Sequence, residues 1–196
     1  MPALTRVETA ELGLAALDAL DVDALAVFVG PERPLQGLAG YADWRLCGLL
    51  SRAIRDGTYG PEAGEALLLP SGGRIAVPRI FCFGVPTAPR DEAAFELQCR
   101  RLCQALHRAG SRQWAGAFPA LPSGVALPEA WLFLQALAPV APRRVVLLGD
   151  ARGLQRDLAA AREALGADAI EVVPHVARVE MPSRAAGLPR GGSVVR

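Results

Sequence analysis

Asp23-Ala24-Leu25-Ala26-Val27-Phe28-Val29-Gly30-Pro31 contains an apolar run of six residues, entered from Asp21-Val22 and left through a glycine and a proline. A short continuous apolar run without polar alternation suits a strand covered on both faces, the usual condition of a strand in a parallel sheet between helices. The spacing therefore predicts a buried strand over 24–29, at the centre of a layered α/β domain. Outward from it, further short apolar runs stand at 65–69, ended by Pro70, at 79–83 after Pro78, and at 114–118, 144–148 and 169–173. Residues 5–9 read as a short edge strand, giving six or seven strands separated by helical patterns and Gly/Pro punctuation.

Four helices are expected between these strands. Residues 41–56 carry Trp44, Leu46, Leu49, Leu50, Ala53 and Ile54 on one broad apolar face, stopped by Gly57. Residues 91–109 place Phe95, Cys99, Leu102 and Leu106 at helical spacing before Gly110. Residues 128–137 and 154–165 complete the set, the last closed by Gly166. Trp44, Trp114 and Trp131 read as core residues. The segment 119–128 reads as a linker crossing the surface, and the Pro, Ser, Gly and Arg of 179–196 read as a flexible tail after a domain at 1–178.

The chain has 196 residues, 52% of them hydrophobic, enough for one well-packed domain. Its 21 basic and 20 acidic residues nearly cancel, so nucleic acid is not an expected partner. Every basic residue is arginine, and lysine and asparagine are both absent, which removes Schiff-base and P-loop lysines and any asparagine in an oxyanion hole. The opening residues do not read as a signal peptide, and no apolar run reaches the length of a membrane span. A soluble cytoplasmic protein with Cys47, Cys82, Cys99 and Cys103 reduced is the expectation.

The order of several elements from 21 to 85 resembles the amino-terminal domain of leucine aminopeptidases, peptidase family M17. The resemblance rests on Asp23-Ala24-Leu25, the Leu-rich helix from Tyr41, Gly57-Thr58-Tyr59-Gly60, the stretch Gly64-Glu65-Ala66-Leu67-Leu68-Leu69-Pro70, and a strand ending in Gly84. It extends more weakly through Arg144-Val145-Val146-Leu147-Leu148. What it implies is a macro-domain-like fold of three α/β/α layers around a mixed, mostly parallel sheet. In the family the following domain carries two divalent metals on a lysine, aspartates and a glutamate. Without lysine or asparagine, and with few residues after Gly166, this chain is expected to hold no such site, no cofactor and no peptidase activity. The expected role is that of a non-catalytic module that binds a protein partner or a second copy of itself. A macro-type binder of ADP-ribose or a related nucleotide is the rival, and an accessory subunit of a metallo-aminopeptidase is a further alternative. Against the nucleotide stands the strand exit Val29-Gly30-Pro31-Glu32, where macro domains carry Asn-Ala-Ala-Asn.

Candidate surface residues for a ligand or partner are Gly30, Glu32, Thr58, Tyr59, Gly149, Asp150 and Arg152. Tyr59 stands in a glycine-bracketed loop that suits recognition, and Gly149-Asp150-Ala151-Arg152-Gly153 precedes a helix. Cys99, Cys103 and His107 share one side of a helix but lack a fourth ligand, so core packing is the better reading. His175, with no carboxylate or serine near it in sequence, reads as a surface or interface residue rather than a general base. No Gly-x-Ser-x-Gly elbow is present, and Ser51, Ser71, Ser111 and Ser123 sit in helix or turn contexts.

Overall fold

A computed structural model describes residues 4–85, 91–119 and 128–176. Within them the chain runs β1 (Thr5–Glu11), α1 (Leu14–Asp18), β2 (Ala24–Val29), α2 (Gly37–Arg45), α3 (Leu49–Arg55), a 3-10 turn (Pro61–Ala63), β3 (Ala66–Pro70) and β4 (Arg79–Gly84). It continues through α4 (Glu92–Arg108), β5 (Gln113–Gly116), α5 (Glu129–Leu137), β6 (Arg144–Gly149), α6 (Ala151–Leu165) and β7 (Ile170–Pro174). The strands form one sheet in the order β3-β4-β2-β5-β6-β1-β7. All neighbours are parallel except β3, which pairs antiparallel with β4 at the edge.

The unbroken apolar runs are explained by two cores, one on each face of the sheet. Strand residues alternate between them, as a two-residue period requires. Ala24 and Ala26 of β2, Trp114 of β5, and Val145 and Leu147 of β6 pack under α4, α5 and α6 against Phe95, Phe133, Leu134 and Leu158. Leu25, Val27 and Val29, with Ile80, Cys82, Val146 and Leu148, pack against Leu17 of α1, Leu38 and Ala42 of α2, and Leu50 of α3. The domain is thus a three-layer α/β/α arrangement around a mixed, mostly parallel sheet of seven strands.

Four expectations need correction. The strand at residues 5–9 is not an edge: β1 lies between β6 and β7, in register with both. The helix expected over 41–56 is two helices, because Cys47 and Gly48 take left-handed backbone (φ 56 and 74) between them. Trp44 does not reach the core; it is 63% exposed, with the Arg45 guanidinium 5.1 Å from its ring centre. The final helix also starts at Ala151 rather than 154, and α1 had no counterpart in the sequence reading. The tail at 179–196, and all but the end residues of the linker at 119–128, lie outside the described residues.

Candidate functional site

The chain leaves β2 toward α2 on one face of the sheet, while its neighbour β5 leads on to α5 on the other. The same divergence occurs between β1, which leads to α1, and β6, which leads to α6. Where adjacent parallel strands send their chains to opposite faces, a crevice opens outside their carboxyl ends. Two cavities fill that crevice. One, of about 390 Å³, lies at the ends of β2, β4 and β5, with walls that include Phe28, Gly30, Glu32, Gln36 and Val85. The other, of about 420 Å³, lies over β6 and the start of α6, with Leu12, Glu129, Gly149, Asp150, Arg156 and Asp157 among its walls. Gly37, Leu38, Ala117 and Phe118 belong to both, so the crevice is continuous.

Its electrostatics are set by side chains already in place. Glu32 folds its carboxylate back over Gly30, so closely that a Cβ on Gly30 would meet it. The loop is pinned by Arg33, which donates to the carbonyls of Gly30 at 2.9 Å and Glu32 at 2.8 Å and reaches Glu62 Oε1 at 2.9 Å. At the start of α6, the amide of Ala151 donates to Glu11 Oε1 at 3.1 Å. That helix end, which favours negative charge, thus already has a carboxylate of the protein's own. Among the described residues, Glu32, Glu129, Asp150 and Asp157 line the two cavities against one guanidinium, Arg156, itself paired with Asp157 at 2.9 Å.

A shallower groove continues from the crevice over α2. Leu12, Leu14, Leu35, Gln36, Gly37, Gly40, Tyr41 and Trp44 line it, and its aromatic members Tyr41 and Trp44 are 37% and 63% exposed.

Of the residues singled out in the sequence, Gly30, Glu32, Gly149 and Asp150 meet in the crevice. Arg152 is exposed on the first turn of α6 and does not line it. Thr58 is exposed at the end of α3, its hydroxyl donating to the Ala53 carbonyl at 3.0 Å. Tyr59 is a correction: it is 2% exposed and packs in the core under α1–α3. Burial pushes its phenol well above the ordinary range, and the ring fills space rather than presenting a contact surface. Leu38, Ala117 and Phe118, which join the two cavities, were missed because they carry no polar signal.

His175 is a second correction. Its side chain is 5% exposed, and Nδ1 lies 2.6 Å from Glu8 Oε2. The partner carboxylate is 167 residues away in sequence and is brought close because β7 pairs with β1. His175 Nε2 is buried with no hydrogen-bond partner among the described residues.

Cys82, Cys99 and Cys103 are buried, and burial pushes the thiols of Cys82 and Cys103 up to about 12 and that of Cys99 higher still, consistent with packing rather than nucleophilic roles. His107 faces Arg112 at 2.6 Å instead of the two cysteines. Among the described residues no group of three or more His, Cys, Asp or Glu gathers to hold a metal ion, and no helix is long and apolar enough to cross a membrane.

A seven-stranded mixed sheet between helical layers, with a crevice at the carboxyl ends of its parallel strands, has the form of a macro-type domain. Comparison with solved structures bears this out at the level of fold. The chain matches a mutant leucine aminopeptidase from tomato with a TM-score of 0.58 at 14% identity, over 84% of this chain and 37% of that one. The matching part is the enzyme's amino-terminal region, so the chain spans little more than a third of the enzyme's length. It matches an Oceanobacillus iheyensis macrodomain with a TM-score of 0.55 at 14% identity, over 83% of this chain and 92% of that one. A Trypanosoma brucei macrodomain matches with a TM-score of 0.54 at 15% identity, over 82% of this chain and 66% of that one. No protein-family model matches the sequence, and no curated protein matches it.

Proposed function

We propose that the chain is a non-catalytic module that holds a basic, extended segment of a protein partner in the crevice at the carboxyl ends of its strands. The observation that carries this reading is the lining: among the described residues, the apolar walls of Phe28, Leu38, Val85 and Phe118 are joined by four carboxylates and a single guanidinium. Apolar side chains of a bound segment would be desolvated against the walls, while its cationic groups would meet Glu32, Asp150 and Asp157. The open groove with Tyr41 and Trp44 extends the surface in the manner of an interface, where exposed aromatics are enriched.

The same lining weighs against a nucleotide. A diphosphate at the β2 exit would face the Glu32 carboxylate, and at α6 it would compete with Glu11 for the helix amides. Like charges at these distances oppose binding. The aminopeptidase activity of the tomato enzyme is not proposed for this chain, because the lysine that the family's metal site uses is a residue type absent from this sequence.

The test is a pair of titrations of the full chain, one with a short peptide of alternating arginine and leucine and one with ADP-ribose, followed by calorimetry and by the fluorescence of exposed Trp44. Saturable binding of the peptide is expected, weakened about tenfold by Glu32→Gln. Saturable binding of ADP-ribose with none of the peptide would replace the protein-binding reading with the nucleotide one.

A further inference from the structure

The opposite end of the sheet carries a second cleft, of about 300 Å³, lined by Arg6, Glu8, Gln113, Arg143, Arg144 and Val176. Its polar members, apart from Arg143 just before β6, come from three adjacent strands. Arg144 at the start of β6 is in register with Arg6 of β1 on one side and with Gln113 of β5 on the other. Parallel neighbours in register project from the same face about 5 Å apart, so Gln113, Arg144 and Arg6 form a row across the sheet. Like charges directly opposite in a sheet are destabilising, and this sheet sets two arginines side by side with Arg143 next to them.

Glu8 offsets part of that repulsion and orders the row. Its Oε1 accepts from Arg144 Nε at 2.8 Å and lies 3.0 Å from Arg6 Nε, while Oε2 accepts from Arg144 Nη2 at 2.9 Å. Arg144 Nη1 is held by Asp21 Oδ1 at 2.6 Å. Arg144 is thereby fixed and its donors are used. The terminal amino groups of Arg6, the whole guanidinium of Arg143 and the carboxamide of Gln113 have no hydrogen-bond partner among the described residues. Among the described residues, three guanidinium groups and one carboxylate line the cleft. Asp21 on the far side of Arg144 and Glu171 of β7, in register with Arg6, bring the carboxylates level with the guanidinium groups, so the cleft offers unpartnered donors rather than an excess of positive charge.

We propose that this cleft binds a small oxyanion, a phosphate or carboxylate group carried on a small molecule. Arg143, the outer nitrogens of Arg6 and the Gln113 carboxamide bind it, and Arg144, whose charge Glu8 and Asp21 already compensate, serves as a fixed support that holds Glu8 away from the ligand. Charge-assisted bonds from planar guanidinium forks are the strong form of oxyanion recognition. The site is separate from the crevice and does not depend on the role proposed for it.

Inorganic phosphate and malonate are each titrated into the full chain at constant ionic strength, with chloride as the control, and the thermal midpoint and amide chemical shifts are followed. At least one of the two is expected to give a saturable stabilisation that chloride does not, with shifts centred on Arg143 and Gln113. A response to phosphate alone assigns a phosphate ligand, and a response to malonate alone assigns a carboxylate. Arg143→Ala, whose side chain holds no ion pair among the described residues, is expected to weaken the response about tenfold while leaving the unliganded midpoint in place. Gln113→Leu gives an independent second variant. The proposal is overturned if neither anion exceeds chloride, or if both variants respond as the parent does.

Discussion

Glu8 occupies a position that the strand pattern would give to an apolar side chain. It lies on β1, between β6 and β7, with a side chain only 5% exposed. Burial alone would push its carboxyl up, but the hydrogen bonds and positive charge of Arg144, with the bond from His175, hold it below the ordinary value of 4.5. A carboxyl with a lowered folded-state pKa contributes stability in full above the unfolded value and loses it as pH falls through the folded one. Acid sensitivity from this group is therefore expected below about pH 4.5. Glu8→Gln removes one of the two carboxylates on the part-buried Arg144, leaving Asp21, and is expected to cost about 1–3 kcal/mol at neutral pH. Denaturant unfolding at pH 7 and pH 3.5 measures it: the variant's loss should be much smaller at the lower pH, and an equal loss at both would refute the charge argument. The thiols provide a second check at this scale. Cys47 is the exposed cysteine, while Cys82, Cys99 and Cys103 are buried. A thiol reagent applied to the folded chain should label one residue quickly and the other three only after unfolding. Fast labelling of Cys99 or Cys103 would show that α4 does not pack as described.

At the scale of elements, the junction of α2 and α3 shows why part of the fold was legible in the sequence and part was not. The apolar positions from Leu46 to Ile54 keep helical spacing across the break, so periodicity reads straight through it. The break is made by side-chain chemistry that periodicity does not record. Asp43 turns toward α3, where Oδ1 accepts from the amides of Leu50 at 2.9 Å and Ser51 at 3.1 Å, and Oδ2 accepts from the Ser51 hydroxyl. It caps a helix from seven residues upstream. Asp43→Ala is expected to cost about 1–2 kcal/mol, the range for a lost cap, and to reduce amide exchange protection in α3 before the sheet. Unchanged protection at Leu50 and Ser51 would refute the capping role. The strands were easier to read because both faces of β2, β4 and β6 are covered, which favours apolar residues at successive positions after the arginines that open β4 and β6. Trp44, Tyr59 and His175 were misplaced for the opposite reason, since each residue's burial is decided by an element distant in sequence. The crevice was half legible: glycines and acids at the exits of β2 and β6 stood out, but the apolar bridge of Leu38, Ala117 and Phe118 looks like core until the strand order is known. Gly84 has a tight requirement of its own. Its amide donates to the Glu65 carbonyl at 2.7 Å, and a Cβ there would come 2.5 Å from the Pro61 carbonyl oxygen and 2.9 Å from that of Glu65. These neighbours are backbone and cannot swing aside.

For the whole molecule, the sheet separates two surfaces of different character. The carboxyl ends of the strands open on a crevice rich in carboxylates, and the amino ends of β1, β5 and β6 on a cleft rich in guanidinium groups. Two consequences follow for ligands. At the crevice, recognition of a basic segment is partly electrostatic, so raising salt from 50 mM to 500 mM should weaken the arginine-leucine peptide as the screening length falls from about 14 Å to about 4 Å. Residual affinity at high salt reports the apolar walls. The second consequence concerns coupling. Allosteric linkage requires an element with two arrangements that both ligands bias. The elements joining the two surfaces are seven strands in continuous register, packed on both faces by cores that include Leu25, Val27, Val145 and Val146, each with no exposed surface. An interior packed in this way does not supply a second arrangement at low cost. Long-range charge is the remaining route between the sites, and at 150 mM salt screening over about 8 Å removes most of it. Saturating phosphate at the arginine cleft is therefore expected to change the peptide's dissociation constant by less than about twofold. Calorimetric titration of the peptide with and without phosphate, at matched ionic strength, decides the point. A change of tenfold or more would mean either that the sheet has a second state or that both ligands compete for one surface, and Arg143→Ala separates these outcomes. Loss of the effect in that variant places the phosphate in the arginine cleft and points to a second state, while persistence of the effect places both ligands in the crevice.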